Sequence, residues 1–365
     1  MRSRDYIYSE TRKGRGAPTN AVSQRFNLQD REMDGDWLDE RDRIGDAAAK
    51  LKTDVTIEFP KSIINYNQSP DLPFDRSINA YRGCEHGCIY CYARPTHAYH
   101  DLSPGLDFET RLFAKPNAAD LLRQTFAKPG YQPATLAIGT NTDPYQPIEK
   151  RYRITRQILE VMLETLHPVV ITTKSNRVLD DRDLLVQLAE RQLTAVAISV
   201  TSLDPETARL LEPRAPAPAR RLEAVQRLSE AGIHVHVNIA PVVPGITDHE
   251  IEAIVATAAD HGAKSLSFIP MRLPHEVAPL FEQWLETHYP DRKSKVMSIV
   301  RQMRGGRRND PAFHSRMRGQ GPWADLIRTR IVIASRKAGL EKAKILLRTD
   351  LFQRPLISGS QMELF

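Results

Sequence analysis

The sequence predicts an α/β protein built on a partial (β/α)6 TIM-like barrel, with an N-terminal extension and a helical C-terminal region. Three observations carry this expectation. Six short, β-branched runs alternate with amphipathic helical patterns between about residues 77 and 270, as in a parallel sheet whose strands are joined by crossover helices. A loop with all three cysteines of the chain directly follows the first run. The ends of the later runs turn polar, as expected where a ligand sits at the C-terminal edge of a parallel sheet.

Taken in order, residues 1–70 read as a polar extension. The first fifty show little apolar periodicity, and Arg12, Lys13, Arg15 and Arg25 make the opening stretch basic. Two readings stand: a solvated, partly disordered arm, or a basic arm that touches nucleic acid. Residues 55–66 turn apolar and are punctuated by Pro60, Pro70 and Pro73.

The core spans 71–275. Its strands are expected at 77–81, 135–139, 168–173, 195–200, 234–239 and 265–269, several nearly continuous in apolar character, as strands covered on both faces should be. Ile154, Ile158, Met162 and Leu166 recur at a spacing of four and form one helical stripe. Asp180 is placed to cap the helix of Leu184, Leu185 and Leu188. The helix of Leu222, Val225 and Leu228 stops at Gly232. Thr247 to Glu250 reads as a capping box before Ile251, Ile254 and Val255, with Gly262 ending that helix.

Residues 276–365 read as a basic, mainly helical region. Nine Lys or Arg lie between 292 and 319 against one acid, Asp310. Such a stripe favours a phosphate backbone through counterion release, and Phe313 and Trp323 are candidate stacking surfaces for bases. A solvated helix face beside a loop is the competing explanation. Residues 324–338 and 340–351 read as an amphipathic close over one end of the barrel.

Composition sets bounds. Hydrophobic and charged contents of 41% and 26% are ordinary for a globular protein. No apolar run is long enough to span a bilayer, so no membrane partner is expected, and the N-terminus lacks a signal-peptide core. Three clustered cysteines suit a reducing cytoplasm. The net charge of +6 is a mild hint of an anionic partner.

The chemistry concentrates in Cys84, Cys88 and Cys91, spaced C-x3-C-x2-C. Gly83 and Gly87 supply the backbone freedom that a tight metal loop needs. Soft thiolates select zinc, copper(I) or iron–sulfur clusters. A closed zinc site would require His86 or His97 as fourth ligand. A [4Fe-4S] cluster on three cysteines would leave one iron open to a small molecule.

The spacing, with Tyr90 just before the third cysteine, resembles the signature of the radical S-adenosylmethionine (SAM) superfamily. Tyr90-Cys91-Tyr92, Thr172-Thr173-Lys174, the strand end at Ser199, Glu212-Pro213 and Ala240-Pro241 are similar to spore photoproduct lyase and its relatives, over about residues 76–272. The resemblance implies a radical SAM barrel. In it Cys84, Cys88 and Cys91 hold a [4Fe-4S] cluster that reductively cleaves SAM to a 5′-deoxyadenosyl radical, which abstracts a hydrogen from a substrate not named by the sequence. It implies that Lys174 and Ser199 contact SAM and that Thr142 stands where another SAM-contacting serine lies. It also implies that Tyr90 and Tyr92 relay a hydrogen atom, with Tyr92 beside the cofactor. A one-electron donor such as flavodoxin or ferredoxin is the implied partner. Thr201, Arg214 and Asn238 are polar strand-end residues that could also reach SAM, and Asp143 is a candidate substrate contact; helix caps and turns are the competing explanation for such residues.

Two features depart from the family. Thr140 occupies the place of the lyase's radical-quenching thiol, and no cysteine remains to replace it; the Gly-Gly-Glu common after the second strand is absent. The expectation is therefore a radical SAM enzyme of open substrate. Two alternatives stand beside it: a lyase or modification enzyme on DNA or RNA, working through the basic region 292–319, and a zinc-stabilised nucleic-acid-binding protein without catalysis.

Overall fold

A computed structural model of the protein describes residues 14–20, 23, 25, 51–340 and 345–355. The expectations for Arg12, Lys13 and 26–50 lie outside the described residues.

Ten strands run through the described chain: β1 (Asp54–Ile57), β2 (Ile64–Tyr66), β3 (Arg76–Ile78), β4 (Tyr81–Arg82), β5 (Arg111–Ala114), β6 (Leu136–Ile138), β7 (Val169–Thr173), β8 (Thr194–Ser199), β9 (His234–Val242) and β10 (Ser265–Pro270). Seven form the main sheet in the order β10-β9-β8-β7-β6-β3-β2. Strands β3, β6, β7, β8, β9 and β10 are mutually parallel, and β2 joins β3 antiparallel at the edge. These six parallel strands are the expected ones. Their register aligns Ile78 with Ile138, Ile171 and Val196, and all four side chains are buried.

The connections carry α1 (Ala118–Phe126), α2 (Ile154–Glu164), α3 (Arg182–Ala189), α4 (Pro218–Glu230) and α5 (Ile251–Asp260). Each presents an apolar stripe to the sheet. In α2 the stripe is Ile154, Ile158, Leu159, Val161 and Met162, all fully buried; each such side chain contributes about 1.5–3 kcal/mol when removed from water. Leu166 lies beyond the end of α2 with φ +50°, so it belongs to the turn rather than to the stripe.

The structure revises several local expectations. The first strand does not run to Tyr81. It stops at Ile78, and Tyr81–Arg82 pairs instead with β5 in a separate three-stranded sheet, β1-β5-β4. Asp180 caps no helix: it pairs with Arg177 at 2.6 Å, and α3 begins without a side-chain cap, after a 3-10 turn capped by Ser175. Thr247 and Glu250 form no capping box. Glu250 accepts bonds from the Ser202 hydroxyl and from the Leu203 and Asp204 amides, holding the loop after β8.

Three helices follow the sheet: α6 (Val277–His288), α7 (Pro290–Met303) and α8 (Gly321–Lys337). Helix α8 packs on α5, α7 and β10, with Arg330 bound to Glu252, and residues 345–355 are not helical. Helices α6 and α7 form a second apolar core with Cys88, Ile89 and Tyr90. Among the described residues, no helix is long and apolar enough to cross a membrane.

Candidate functional site

The cysteine loop starts where β4 ends. Gly83 has φ +72° and Gly87 φ +68°, backbone conformations that glycine adopts without steric cost. Space excludes a side chain at both. A Cβ on Gly83 would lie 2.6 Å from Leu112, and one on Gly87 would lie 2.6 Å from the Glu109 carboxylate. Arg94, fully buried, donates to the carbonyls of Gly87, Cys88, Pro104 and Gly105 and pairs with Glu109 at 2.6 Å. The same carboxylate accepts the amides of Gly16 at 3.0 Å and Ala17 at 2.7 Å. A buried ion pair is tolerated when its remaining hydrogen-bonding groups are satisfied, and here they are. The N-terminal stretch, expected as a solvated or nucleic-acid-touching arm, closes on the loop in its described part. Arg15 donates to the Leu51 carbonyl and Arg25 pairs with Glu276.

The cysteines form no disulfide; Cys84 and Cys88 are buried and Cys91 half-buried. Burial pushes the Cys84 thiol well above its ordinary value, and Asp143, Cys88 and Cys91 add to the rise. Burial likewise raises Cys88, against the pull of Lys174. The three thiols thus share one electrostatic field, and they are soft donors of the kind that bind iron–sulfur clusters.

The candidate fourth ligands are engaged elsewhere. His97 binds the Arg111 carbonyl through Nε2 at 2.9 Å and packs edge-on to Phe108; burial lowers its pKa to about 4. His86 lies with Nδ1 3.3 Å from Asp143, within ion-pair range though off hydrogen-bond alignment. Among the described residues, no group of three or more His, Cys, Asp or Glu is placed to hold a single metal ion.

The strand ends converge on the loop. Asp143, after β6, accepts the Thr173 hydroxyl at 2.6 Å and the Lys174 amide at 2.8 Å. Burial alone would raise its pKa, but His86 and these hydrogen bonds hold it at about 2. Thr142 donates to the Gly83 carbonyl and accepts from Gln146, so it braces the loop. Arg214 pairs with Glu85 at 3.0 Å, and its amide binds the His86 carbonyl. Ser199 is buried at the end of β8, and its carbonyl accepts from Arg221.

Lys174 lies over the ring of Tyr90, 5.8 Å from its centre. The Tyr90 hydroxyl donates to Glu212 and lies 3.2 Å from Thr201, and Thr201 donates to the same carboxylate at 2.8 Å. Arg221 pairs with the other Glu212 oxygen. Burial opposes the charge on Glu212, yet Arg221 and Lys174 hold its pKa below the ordinary value. Burial likewise opposes the charge on Lys174, which Cys88 and Glu212 outweigh. Tyr92 is 50% exposed, donates to the Thr140 carbonyl and lies under Arg272. Asn238, on β9, is farther round the sheet. Its Oδ1 accepts from Ser267, in a ladder continued by His236, Ser265 and His234.

Comparison with known proteins gives the family and the fold. An uncharacterized protein of Mycobacterium tuberculosis is 36% identical over 232 residues, 63% of this chain and 68% of that protein. One of Methanocaldococcus jannaschii is 27% identical over 232 residues, 63% of this chain and 82% of that protein. A mutant of spore photoproduct lyase superposes with a TM-score of 0.56 at 14% identity, covering 78% of this chain and 79% of that one, a likeness of fold. A sequence profile of the Radical SAM superfamily matches residues 78–258. The chain belongs to the radical SAM superfamily.

For a radical SAM enzyme the placement is informative. Cys84, Cys88, Cys91, Tyr90, Lys174, Ser199 and Thr201 come together at one edge of the sheet, whereas Arg214 and Thr142 are bound into the loop's own support. Sequence reasoning passed over Arg94, Glu109 and Arg221. Glu212 stood in a quoted dipeptide, but nothing in the sequence linked it to Arg221.

Of the nine cations in the basic stripe only Arg304 is buried; six are exposed, and several are paired with carboxylates. Arg304 is buried on the carbonyls of Pro270 and Met271, Arg316 pairs with Asp71, Arg308 with Glu282 and Lys293 with Glu286. Trp323 packs against the main core rather than offering a stacking face.

Proposed function

We propose that Cys84, Cys88 and Cys91 hold a [4Fe-4S] cluster with one iron open to SAM, and that residues 71–275 act as the catalytic core, with 1–70 and 276–365 as additions. When bound, cluster and SAM supply a 5′-deoxyadenosyl radical able to abstract a substrate hydrogen. The chain's own residues bind, orient and shield. Lys174 is the cation for the SAM carboxylate: it is charged, sits beside Cys88 and has no carboxylate hydrogen bond among the described residues. Ser199 and Thr201 line the same edge, with Asn238 at its far side. Glu212, held by Arg221, fixes the Tyr90 phenol proton toward a carboxylate. In Thr140 a hydroxyl stands in the place of a quenching thiol, and its O–H bond is too strong for that work. Tyr92, bonded to the Thr140 carbonyl, is the hydrogen relay this reading favours.

The observation that carries the reading is the grouping of three unpaired cysteines with a charged, half-buried Lys174. A reducing cytoplasm and a flavodoxin- or ferredoxin-like donor fit such thiols. The zinc-binding alternative is weakened by the engagement of His86 and His97. Action on nucleic acid rests on the exposed Arg292, Lys295, Arg307 and Arg318, which make no ion pair among the described residues, and on exposed Phe313. Anaerobic reconstitution tests the proposal. About four irons per chain, with 5′-deoxyadenosine formed from SAM under dithionite, is the expected result; a colourless protein with one zinc, inert to SAM, would overturn it.

A further inference from the structure

Both tyrosines that flank Cys91 carry a cation on their ring: Lys174 on Tyr90, and Arg272 on Tyr92 at 5.3 Å from the ring centre. Arg272 stands two residues past the end of β10, at the strand-end edge that holds the cysteine loop. Its backbone is clamped on both sides. The Met271 carbonyl before it accepts from Arg304, and the Leu273 amide after it donates to the Arg308 carbonyl. The position is rigid, and stacking on the ring limits the swing of the guanidinium.

What Arg272 lacks is an anion. Among the described residues the buried arginines are each satisfied: Arg94 by Glu109, Arg221 by Glu212, Arg304 by carbonyls. Arg272 is half-buried and makes no hydrogen bond or ion pair among the described residues, apart from the ring contact. The nearby carboxylate, Asp71, is already taken. It accepts the His314 amide and the Arg316 Nε, each at 2.7 Å. A guanidinium offers a planar fork of donors that matches two oxygens of a carboxylate or phosphate, and partial burial without such a partner is costly. Burial indeed lowers its pKa.

We infer that Arg272 is the seat for an oxyanion of the substrate, a carboxylate or a phosphate ester, which sets the substrate against the exposed face of Tyr92. This rests on the radical SAM reading above, in which Lys174 takes the SAM carboxylate. The two cations then divide the labour, one for cofactor and one for substrate.

The test is chemical protection on the full chain carrying its cluster. Phenylglyoxal labelling, located by peptide mass spectrometry, is run with inorganic phosphate, acetate or chloride at equal ionic strength. Arg272 is expected to label readily in chloride and to be protected saturably by phosphate or by acetate, the more effective anion identifying the source. Exposed Arg307 should label alike in all three. Equal labelling of Arg272 in all three salts would overturn the inference. SAM affinity is measured in parallel. Wild-type SAM binding that K174Q weakens and R272Q leaves within about twofold supports the division of roles. An R272Q loss as large as that of K174Q would assign Arg272 to SAM and overturn the substrate role. Failure of the wild type to bind SAM would instead sink the radical SAM reading, whatever the labelling shows.

Discussion

The sheet and the cysteine loop are neighbours in one fold, held by different physics. The sheet is held by Ile78, Ile138, Ile171 and Val196 and the apolar stripes facing them, a non-directional attraction roughly proportional to buried area. The loop is held by Arg94, Glu109 and two glycines in left-handed geometry, where each group has named partners. A core of the first kind tolerates swaps of similar volume. A buried charge network does not tolerate loss of one member, because the other is left unpaired. The lesson is that chemistry which needs fixed positions is built on the less forgiving of the two.

Substitutions sharpen this contrast. The largest effect is expected of C88A: iron content and 5′-deoxyadenosine should both fall to background while the urea midpoint stays near wild type, measured by iron assay, chromatography and circular dichroism. Next is R94M, which strands Glu109; a loss of about 3–5 kcal/mol in urea unfolding is expected, and an equal midpoint would refute the structural role given to the pair. In the sheet, I171A should cost about 2–5 kcal/mol yet keep full iron content in the folded fraction. If I171A lost iron as sharply as C88A, the two regions would not be separable.

Acidity gives a smaller effect. His167 stacks on Phe126 and bonds to Tyr131, and burial lowers its pKa to about 3. The native state refuses a proton that the unfolded state accepts near pH 6.5. Its contribution is therefore full above about pH 6.5 and declines as pH falls toward the folded value. Between pH 7 and pH 5 this one residue should remove about 2 kcal/mol, and the pH slope of the urea midpoint should flatten in H167Q. The smallest expected effect is that of K174Q, a loss of SAM affinity of about tenfold by equilibrium dialysis; no change would remove Lys174 from the cofactor site.

How legible the two regions were follows from the same contrast. Runs such as 195–200 announce a strand through their β-branched residues, and β8 spans Thr194–Ser199. Asn79 hides the break after β3: it looks like part of a strand, but its side chain binds the Asn141 amide and the Thr140 hydroxyl, sending the chain into the second sheet. The three cysteines stand out because their spacing is local. Arg94 and Glu109, or Glu212 and Arg221, are ordinary surface-type residues until the fold joins them. Glu250 was read as half of a capping box because only its local neighbours were visible, whereas its partners lie 46 to 48 positions away.

The contact of Gly16 with Glu109 joins positions 93 apart. Synthesis runs from N- to C-terminus, so residues 14–20 are made before the loop and have no seat until the loop and Glu109 have followed them. Once made, the loop lacks its cover at Gly87 until Glu109 is in place and a segment made earlier folds back onto one made later. Order of assembly, as well as final geometry, is thus written into where residues 14–20 dock.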